Sequence, residues 1–263
     1  MESSNPVLTR AYGRRGYASM NTAVLDRDPL EATYEAPAAS SLRTGRMTVD
    51  DVVARTGILF GLALTFGAAA WYLKLGGGIL LVAMIGGLIT GMIGAFSQKV
   101  RPSLYVVYAI CQGLALGIIS RTYELFYNGI VQQAIVATAA AFAGILFLYR
   151  SGRLRATPRF TKTLIGAAIG YFVLALGSLI GSFFGLGGGM GLYGLSGFGP
   201  MLAIAGVAIA AFFLVLDFDQ VEQGVRAGIP QEESWRAGFG LLMTVVWLYL
   251  EVLRLLSILR NND

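Results

Sequence analysis

The hydrophobic positions of this 263-residue chain are gathered into long runs that contain no charged residue. A run of about 18 or more apolar residues is long enough to cross the hydrocarbon core of a bilayer. The longest run, residues 163–216, has room for two crossings joined by an uncharged loop. The pattern therefore predicts seven membrane-spanning helices, at residues 53–73, 78–97, 103–121, 130–149, 163–184, 200–222 and 236–259.

Glycine pairs at a spacing of four residues recur within these predicted spans. In lipid, such pairs let helix backbones approach each other closely, so we expect tight helix packing at them. The pairs are Gly57/Gly61, Gly87/Gly91, Gly113/Gly117, Gly166/Gly170 and Gly177/Gly181.

Composition supports the same class of protein. The chain is 56% hydrophobic and 13% charged, whereas soluble domains carry roughly 25% charged residues. The sequence thus predicts an all-α integral membrane protein, with the lipid bilayer as its main partner. Residues 1–50 are polar and have no hydrophobic period, which predicts a disordered cytoplasmic tail before a membrane domain over 51–263.

The basic residues predict how the protein is oriented. With the N-terminus inside, the inner segments hold 16 of the 20 Lys and Arg residues and the outer segments hold four. This bias favours a cytoplasmic N-terminus and an external C-terminus. Because most arginines lie in loops beside predicted spans, orientation and lipid contact explain the pI near 9.4 better than nucleic-acid binding does.

Several kinds of chemistry are disfavoured by what the sequence lacks. The chain has no histidine and one cysteine, Cys111, inside a predicted span, so zinc and haem sites are not expected. None of the three lysines follows a glycine, which argues against an ATP-binding loop. No nucleophile and base stand out as a pair, so we expect no enzyme and no cofactor.

Two carboxylates are embedded deeply in apolar sequence, Asp217 and Glu251. Ionisable residues within spans are costly and usually mark pathways or proton sites. The alternative for Glu251 is a simple ion pair with Arg254 three residues later. Asp219 and Glu222 are secondary acids that we expect near the inner end of span six, where Glu222 can pair with Arg226.

If Asp217 and Glu251 met, they would share one proton and form a pH sensor that needs no histidine. When both are deprotonated, they would also make a weak calcium site, since calcium takes about 6–8 oxygens and two carboxylates offer at most about four. From the predicted bounds, Asp217 lies roughly 8 Å and Glu251 roughly 22 Å from the inner ends of their helices. Contact therefore requires span six to extend past Glu222 or span seven to begin below the membrane surface.

Two of these segments resemble the Bax inhibitor-1 family of seven-span membrane proteins. They are "FLVLDFDQVEQ" at residues 213–223 and "LYLEVLRLLSIL" at residues 248–259. The resemblance extends over about 52–260, leaves the first 50 residues outside, and identifies the chain as a divergent bacterial member located in the inner membrane. It implies a bundle with span seven at the centre, a pH-dependent calcium leak governed by an aspartate pair, and a basic latch near the end of span two.

The resemblance assigns the family's functional residues to particular positions of this sequence. Asp217 matches the first aspartate of the family's pair, and Glu251 stands at the position of the second. Lys99 or Arg101 lies near the position of the latch. Our first hypothesis is thus a pH-sensitive cation leak that conducts calcium, gated by Asp217 and Glu251 and steadied in its closed state by Lys99 or Arg101.

Two other functions remain open at this point. The chain could be an interaction protein that modulates a membrane protease or a stress response, with its Arg-rich tail and inner loops as the docking surface. A proton-coupled solute transporter is a third reading, although few polar residues lie at mid-span (Thr90, Gln112 and Thr244). We expect a monomer in each case.

Overall fold

The structure is a computed structural model that describes residues 45–185, 191–194 and 198–261. These residues form seven helices, each long and apolar enough to cross a membrane, which confirms the multi-pass, all-α class. The predicted tail lies outside the described residues over 1–44. The helices are α1 (Val49–Tyr72), α2 (Gly77–Phe96), α3 (Pro102–Phe126), α4 (Ile130–Arg150), α5 (Pro158–Phe183), α6 (Phe198–Ala227) and α7 (Glu233–Asn261), with a 3₁₀ turn (Gly191–Gly194) between α5 and α6.

Most helices are longer than the predicted spans. The spans are bounded near charged residues, and a charged residue indicates contact with water rather than the end of a helix. The start of α5 shows the reason. The Thr157 hydroxyl accepts a hydrogen bond from the Phe160 N–H, and Pro158 occupies the first turn, where its missing N–H breaks no helical bond. The helix therefore begins five residues before the predicted bound of 163, with Arg159 and Lys162 inside it.

Helix α7 lies at the centre of the bundle, as the family resemblance implied. Its backbone packs against α1, α3, α4 and α6. Its side chains also reach α5, where the Trp247 and Phe172 rings stack with centroids 5.1 Å apart. Phe239 lies beside Gly94 of α2. Leu242, Leu248 and Leu253 are almost fully buried, so α7 supplies much of the core.

Two of the glycine pairs make the close contacts that we expected. Gly113 and Gly117 of α3 pack against the α1 backbone, and Gly87 and Gly91 of α2 pack against α3 side chains. The expectation is wrong for other members, because a Cβ added to them would meet nothing within 4 Å among the described residues. These open positions are Gly57, Gly61, Gly166, Gly170 and Gly177.

The residues just before α1 are bonded to the connector between α6 and α7. The Met47 N–H donates to the Ile229 carbonyl at 2.8 Å, and the Gln231 N–H donates to the Gly45 carbonyl at 2.8 Å. Met47 is buried, and Arg55 donates to the Gln231 carbonyl at 2.8 Å. Residues 45–48 are thus fastened to the connector between α6 and α7, and we call them the pre-helix strap.

Candidate functional site

Glu251 is a buried carboxylate on the central helix, with 3% of its surface exposed. It faces Gly206 of α6, where an added Cβ would lie 2.6 Å from Glu251 Oε2 and would collide with the Tyr171 hydroxyl. Glycine at this point of α6 is therefore what leaves room for the carboxylate and the phenol between the two helices.

The negative charge of Glu251 is compensated on several sides. Arg254 Nη1 donates to its Oε1 and Oε2 at 3.1 and 3.0 Å. The Tyr171 hydroxyl donates to Oε2 at 2.6 Å, and Trp247 Nε1 donates to Oε1 at 3.1 Å. The ion pair with Arg254 is the alternative that the three-residue spacing suggested, and hydrogen bonds from two aromatic side chains are added to it.

The 3₁₀ turn between α5 and α6 is joined to this cluster. The hydroxyls of Tyr193 and Tyr171 lie 2.7 Å apart, and Arg254 Cζ lies 4.4 Å from the centroid of the Tyr193 ring, within cation–π range. The Leu192 N–H donates to the Ser178 hydroxyl at 2.9 Å, which fastens the same turn to α5. We call Glu251, Arg254, Tyr171, Tyr193 and Trp247 the Glu251 cluster.

Asp217 sits in a different environment on α6. Although the residue as a whole is partly exposed, its Oδ2 is buried and has no hydrogen-bond partner among the described residues. Its polar neighbour is the side chain of Thr244 on α7. Unsatisfied buried carboxylate oxygens are rare, so this atom needs an explanation.

The structure does not bring Asp217 and Glu251 into contact. Thr244, the neighbour of Asp217, precedes Glu251 by seven residues on α7, which is two helical turns or about 10 Å. The residue of α6 that faces Glu251 is Gly206, eleven positions before Asp217. The register between α6 and α7 therefore holds the two carboxylates at different levels of the bundle, where they cannot share a proton directly.

The candidate latch residues lie elsewhere. Lys99 and Arg101 are exposed in the α2–α3 connector, and in the part of the chain that the structure describes neither forms an ion pair with a carboxylate. The connector is held by Arg236 of α7, whose Nη2 donates to the Ser97 and Gln98 carbonyls at 2.9 and 3.1 Å. In this conformation the cation beside Glu251 is Arg254.

The secondary acids lie near the C-terminal end of α6. Glu222 pairs with Arg226, as the four-residue spacing predicted; the Arg226 side chain is largely exposed and that of Glu222 is partly exposed. Glu222 also accepts a hydrogen bond from the Tyr149 hydroxyl at 2.5 Å. Gln223 donates to Asp219 at 2.5 Å. These contacts join the ends of α4 and α6 and keep both acids apart from the Glu251 cluster.

The described residues offer few side chains that are placed to bind a metal ion. Among the described residues no group of three or more Asp, Glu, Cys or His side chains is placed to hold an ion. Asp217 and Glu251 each offer their oxygens separately. The weak calcium site that we predicted from their pairing stays a prediction.

Sequence reasoning missed Tyr171, Tyr193 and Trp247. Trp247 had a local signal, because it lies one helical turn before Glu251. Tyr171 is a polar-tipped side chain in the middle of an otherwise apolar span, and buried tyrosine hydroxyls usually have partners. The position of Tyr193 depends on how the glycine-rich loop folds, for which the sequence holds no comparable signal.

Comparison with known proteins extends the resemblance. The sequence profile of the family described as Bax inhibitor 1 like matches residues 5–261. The match begins far before residue 52, so our expectation that the first 50 residues lie outside the resemblance is wrong. A search of curated proteins gave no match.

Proposed function

Because the chain belongs to the Bax inhibitor 1-like family of membrane proteins, we propose that it is a pH-sensitive cation leak that conducts calcium. Asp217 on α6 and Glu251 on α7 are its ion-interacting groups, which the ion meets one after the other. Arg254 takes the part of the latch that the resemblance gave to Lys99 or Arg101. This arrangement replaces a shared-proton pair by two carboxylates with separate tasks.

The observation that carries the proposal is the buried, unpaired Oδ2 of Asp217. A buried acceptor without a donor is unfavourable, and a passing cation, a water molecule or a proton would each satisfy it. Thr244 lies beside Asp217, and Glu251 lies two helical turns further along the α6-facing side of α7. Oxygen ligands are those that hard cations such as calcium prefer.

Closure in this proposal depends on the Glu251 cluster. Arg254 places a positive charge 3.0 Å from Glu251 Oε2, and a fixed cation there repels a second cation. Loss of the negative charge on Glu251 would remove the attraction that holds Arg254 in place. The Tyr193 ring, which lies against the Arg254 guanidinium, would then lose one of its contacts and the turn could move away.

Calcium flux through the full chain in liposomes tests the proposal. Wild-type protein should give a dye signal that changes with pH, and an Asp217→Asn/Glu251→Gln variant should lose that pH dependence, because neither site can then change charge. Glu222→Gln is the matched control, since it neutralises an exposed acid of the same helix end, and it should keep the wild-type response. A double variant with an unaltered pH response would rule the mechanism out.

The second candidate is an interaction protein, and the pre-helix strap favours it. The strap joins the start of the described residues to the α6–α7 connector, so a partner that binds the preceding arginine-bearing segment would act on both α6 and α7. Deletion of residues 1–44 preserves the strap. For an interaction protein this deletion should abolish cross-linking to a membrane partner, whereas for a leak it should leave calcium flux intact. A deletion that abolishes calcium flux and keeps the cross-link would contradict both hypotheses.

A further inference from the structure

The α4–α5 corner, meaning the connector and the helix ends on either side of it, carries a dense, exposed positive charge. Its five cations lie within thirteen residues, and the sequence has no acid at all between Glu124 and Asp217. All five are exposed. They are Arg150, Arg153, Arg155, Arg159 and Lys162, which we call the basic loop. We propose that the basic loop binds the phosphate headgroups of anionic lipids in the leaflet that it faces.

The connector itself has a defined fold. At the end of α4 the Ser151 N–H donates to the Phe147 carbonyl at 2.9 Å, and the Leu154 N–H donates to the Leu148 carbonyl at 3.2 Å. Gly152 adopts a φ of +72°, a left-handed conformation that glycine favours. The turn thus reverses the chain in few residues and presents its arginines from a fixed backbone.

This fold also sets the depth of the cations. Helix α4 ends at Arg150 and α5 begins at Pro158, so the basic loop lies at the ends of two consecutive spans. Span ends meet the headgroup region of the bilayer. Clusters of about 4–8 basic residues next to a span are the usual signature of contact with anionic lipid. The lipid phosphates are therefore at the level of the arginine side chains.

Among the described residues, the positive charge of the basic loop is not taken up by ion pairs. None of its five cations forms an ion pair with an acid in the described ranges. Glu222 attracts Arg155 electrostatically, but its oxygens bond to the Tyr149 hydroxyl and to Arg226. The guanidinium donors of Arg153 and Arg159 are thus available to an external anion, and guanidinium suits phosphate because it can donate two parallel hydrogen bonds.

The depth of the basic loop in the membrane and its positive charge together identify the ligand that it binds. A soluble acidic protein could match the charge, but a lipid phosphate is present at this depth at high local concentration in any membrane that contains anionic lipid. Leu154 and Phe160 lie between these cations along the chain, are half-buried and can contact the acyl or glycerol region below the phosphates. The predicted N-inside orientation places the loop on the cytoplasmic leaflet.

Retention of lipid by the purified full chain tests the proposal. The protein is equilibrated in mixed micelles that contain equal amounts of phosphatidylglycerol and phosphatidylcholine, and the lipid that remains bound is quantified by mass spectrometry. Wild-type protein should retain phosphatidylglycerol about tenfold in excess. An Arg153→Gln/Arg155→Gln/Arg159→Gln variant should lose most of that excess.

Two further variants keep the result interpretable. Lys74→Gln/Lys99→Gln/Arg121→Gln removes the same net charge outside the basic loop and should keep the enrichment. Arg153→Lys/Arg155→Lys/Arg159→Lys preserves the charge and should retain at least half of it, which separates loss of charge from loss of fold. Circular dichroism and size-exclusion chromatography check the fold of each variant.

Three results would overturn the proposal. Wild-type protein could retain both lipids equally, which would leave the basic loop as an orientation signal alone. Both glutamine variants could lose the enrichment to the same extent, which would make it an effect of net charge. Inorganic phosphate could displace the lipid at constant ionic strength, which would assign the loop to a free anion.

Discussion

Replacement of Arg254 by methionine is expected to lower the free energy of unfolding by about 3–5 kcal/mol, because it leaves a buried carboxylate without its counter-charge. Glu251 is 3% exposed, and Arg254 Nη1 lies 3.0 and 3.1 Å from its two oxygens. The hydrogen bonds from Tyr171 and Trp247 remain in the variant, but neither carries a charge. Denaturant titration in detergent micelles, followed by tryptophan fluorescence, measures the loss.

A second variant separates the ion pair from general damage to the packing. Glu251→Gln/Arg254→Met removes both charges and should recover most of the lost stability, since neutral replacement of a buried pair is often tolerated. Arg226→Met is the matched control, because the Arg226–Glu222 pair is exposed and should contribute little. An Arg254→Met effect no larger than that of Arg226→Met would show that the pair at Glu251 has no structural importance.

Much of the fold could be predicted, because the membrane imposes strong constraints on sequence. Backbone groups in lipid must be satisfied within helices, so long apolar runs could hardly be anything else, and all seven helices were found. Helix ends were harder to predict. The start of α5 is set by the cap at Thr157, and α3 continues past Arg121 to Phe126, because helices extend into the headgroup region.

Within the site, only the contacts between residues close together in the sequence could be predicted. The Glu251–Arg254 and Glu222–Arg226 pairs depend on spacing along one helix, and both are present. The pairing of Asp217 with Glu251 depends on the register of α6 against α7, which the α6–α7 connector and the contact at Gly206 determine. Such long-range features leave no periodic trace, so the sequence could identify the acids and could not say which of them meet.

The glycine pairs show the same limit of prediction from sequence, and its effect on stability can be measured. Gly57/Gly61 and Gly113/Gly117 have identical spacing, yet only the second pair lies against another backbone. An added Cβ would lie 2.9 Å from Ala63 Cα at Gly113, and 2.9 Å from Ala70 Cβ at Gly117. The spacing indicates where close packing is possible, and the neighbouring helix decides where it occurs.

Alanine at Gly113 or Gly117 is therefore expected to destabilise the protein by about 1–3 kcal/mol each, the range found for overpacked interiors. The obstacle at Gly113 is the backbone of α1, which cannot rotate aside as a flexible side chain can, so α1 and α3 must separate. Their separation would also loosen α7, which packs against both. Denaturant titration of each single variant and of the double variant in the same detergent gives the measurement.

Alanine at Gly57 or Gly61 is the control that makes this result specific. Both positions lie on α1, in the same helix pair, and an added methyl group meets nothing within 4 Å among the described residues. These variants should be neutral or slightly more stable, because alanine favours a helix over glycine by up to about 1 kcal/mol. Equal destabilisation at all four positions would mean that the cost arises from glycine replacement in lipid generally. Loss at Gly113 and Gly117 alone would assign it to the contact between α1 and α3.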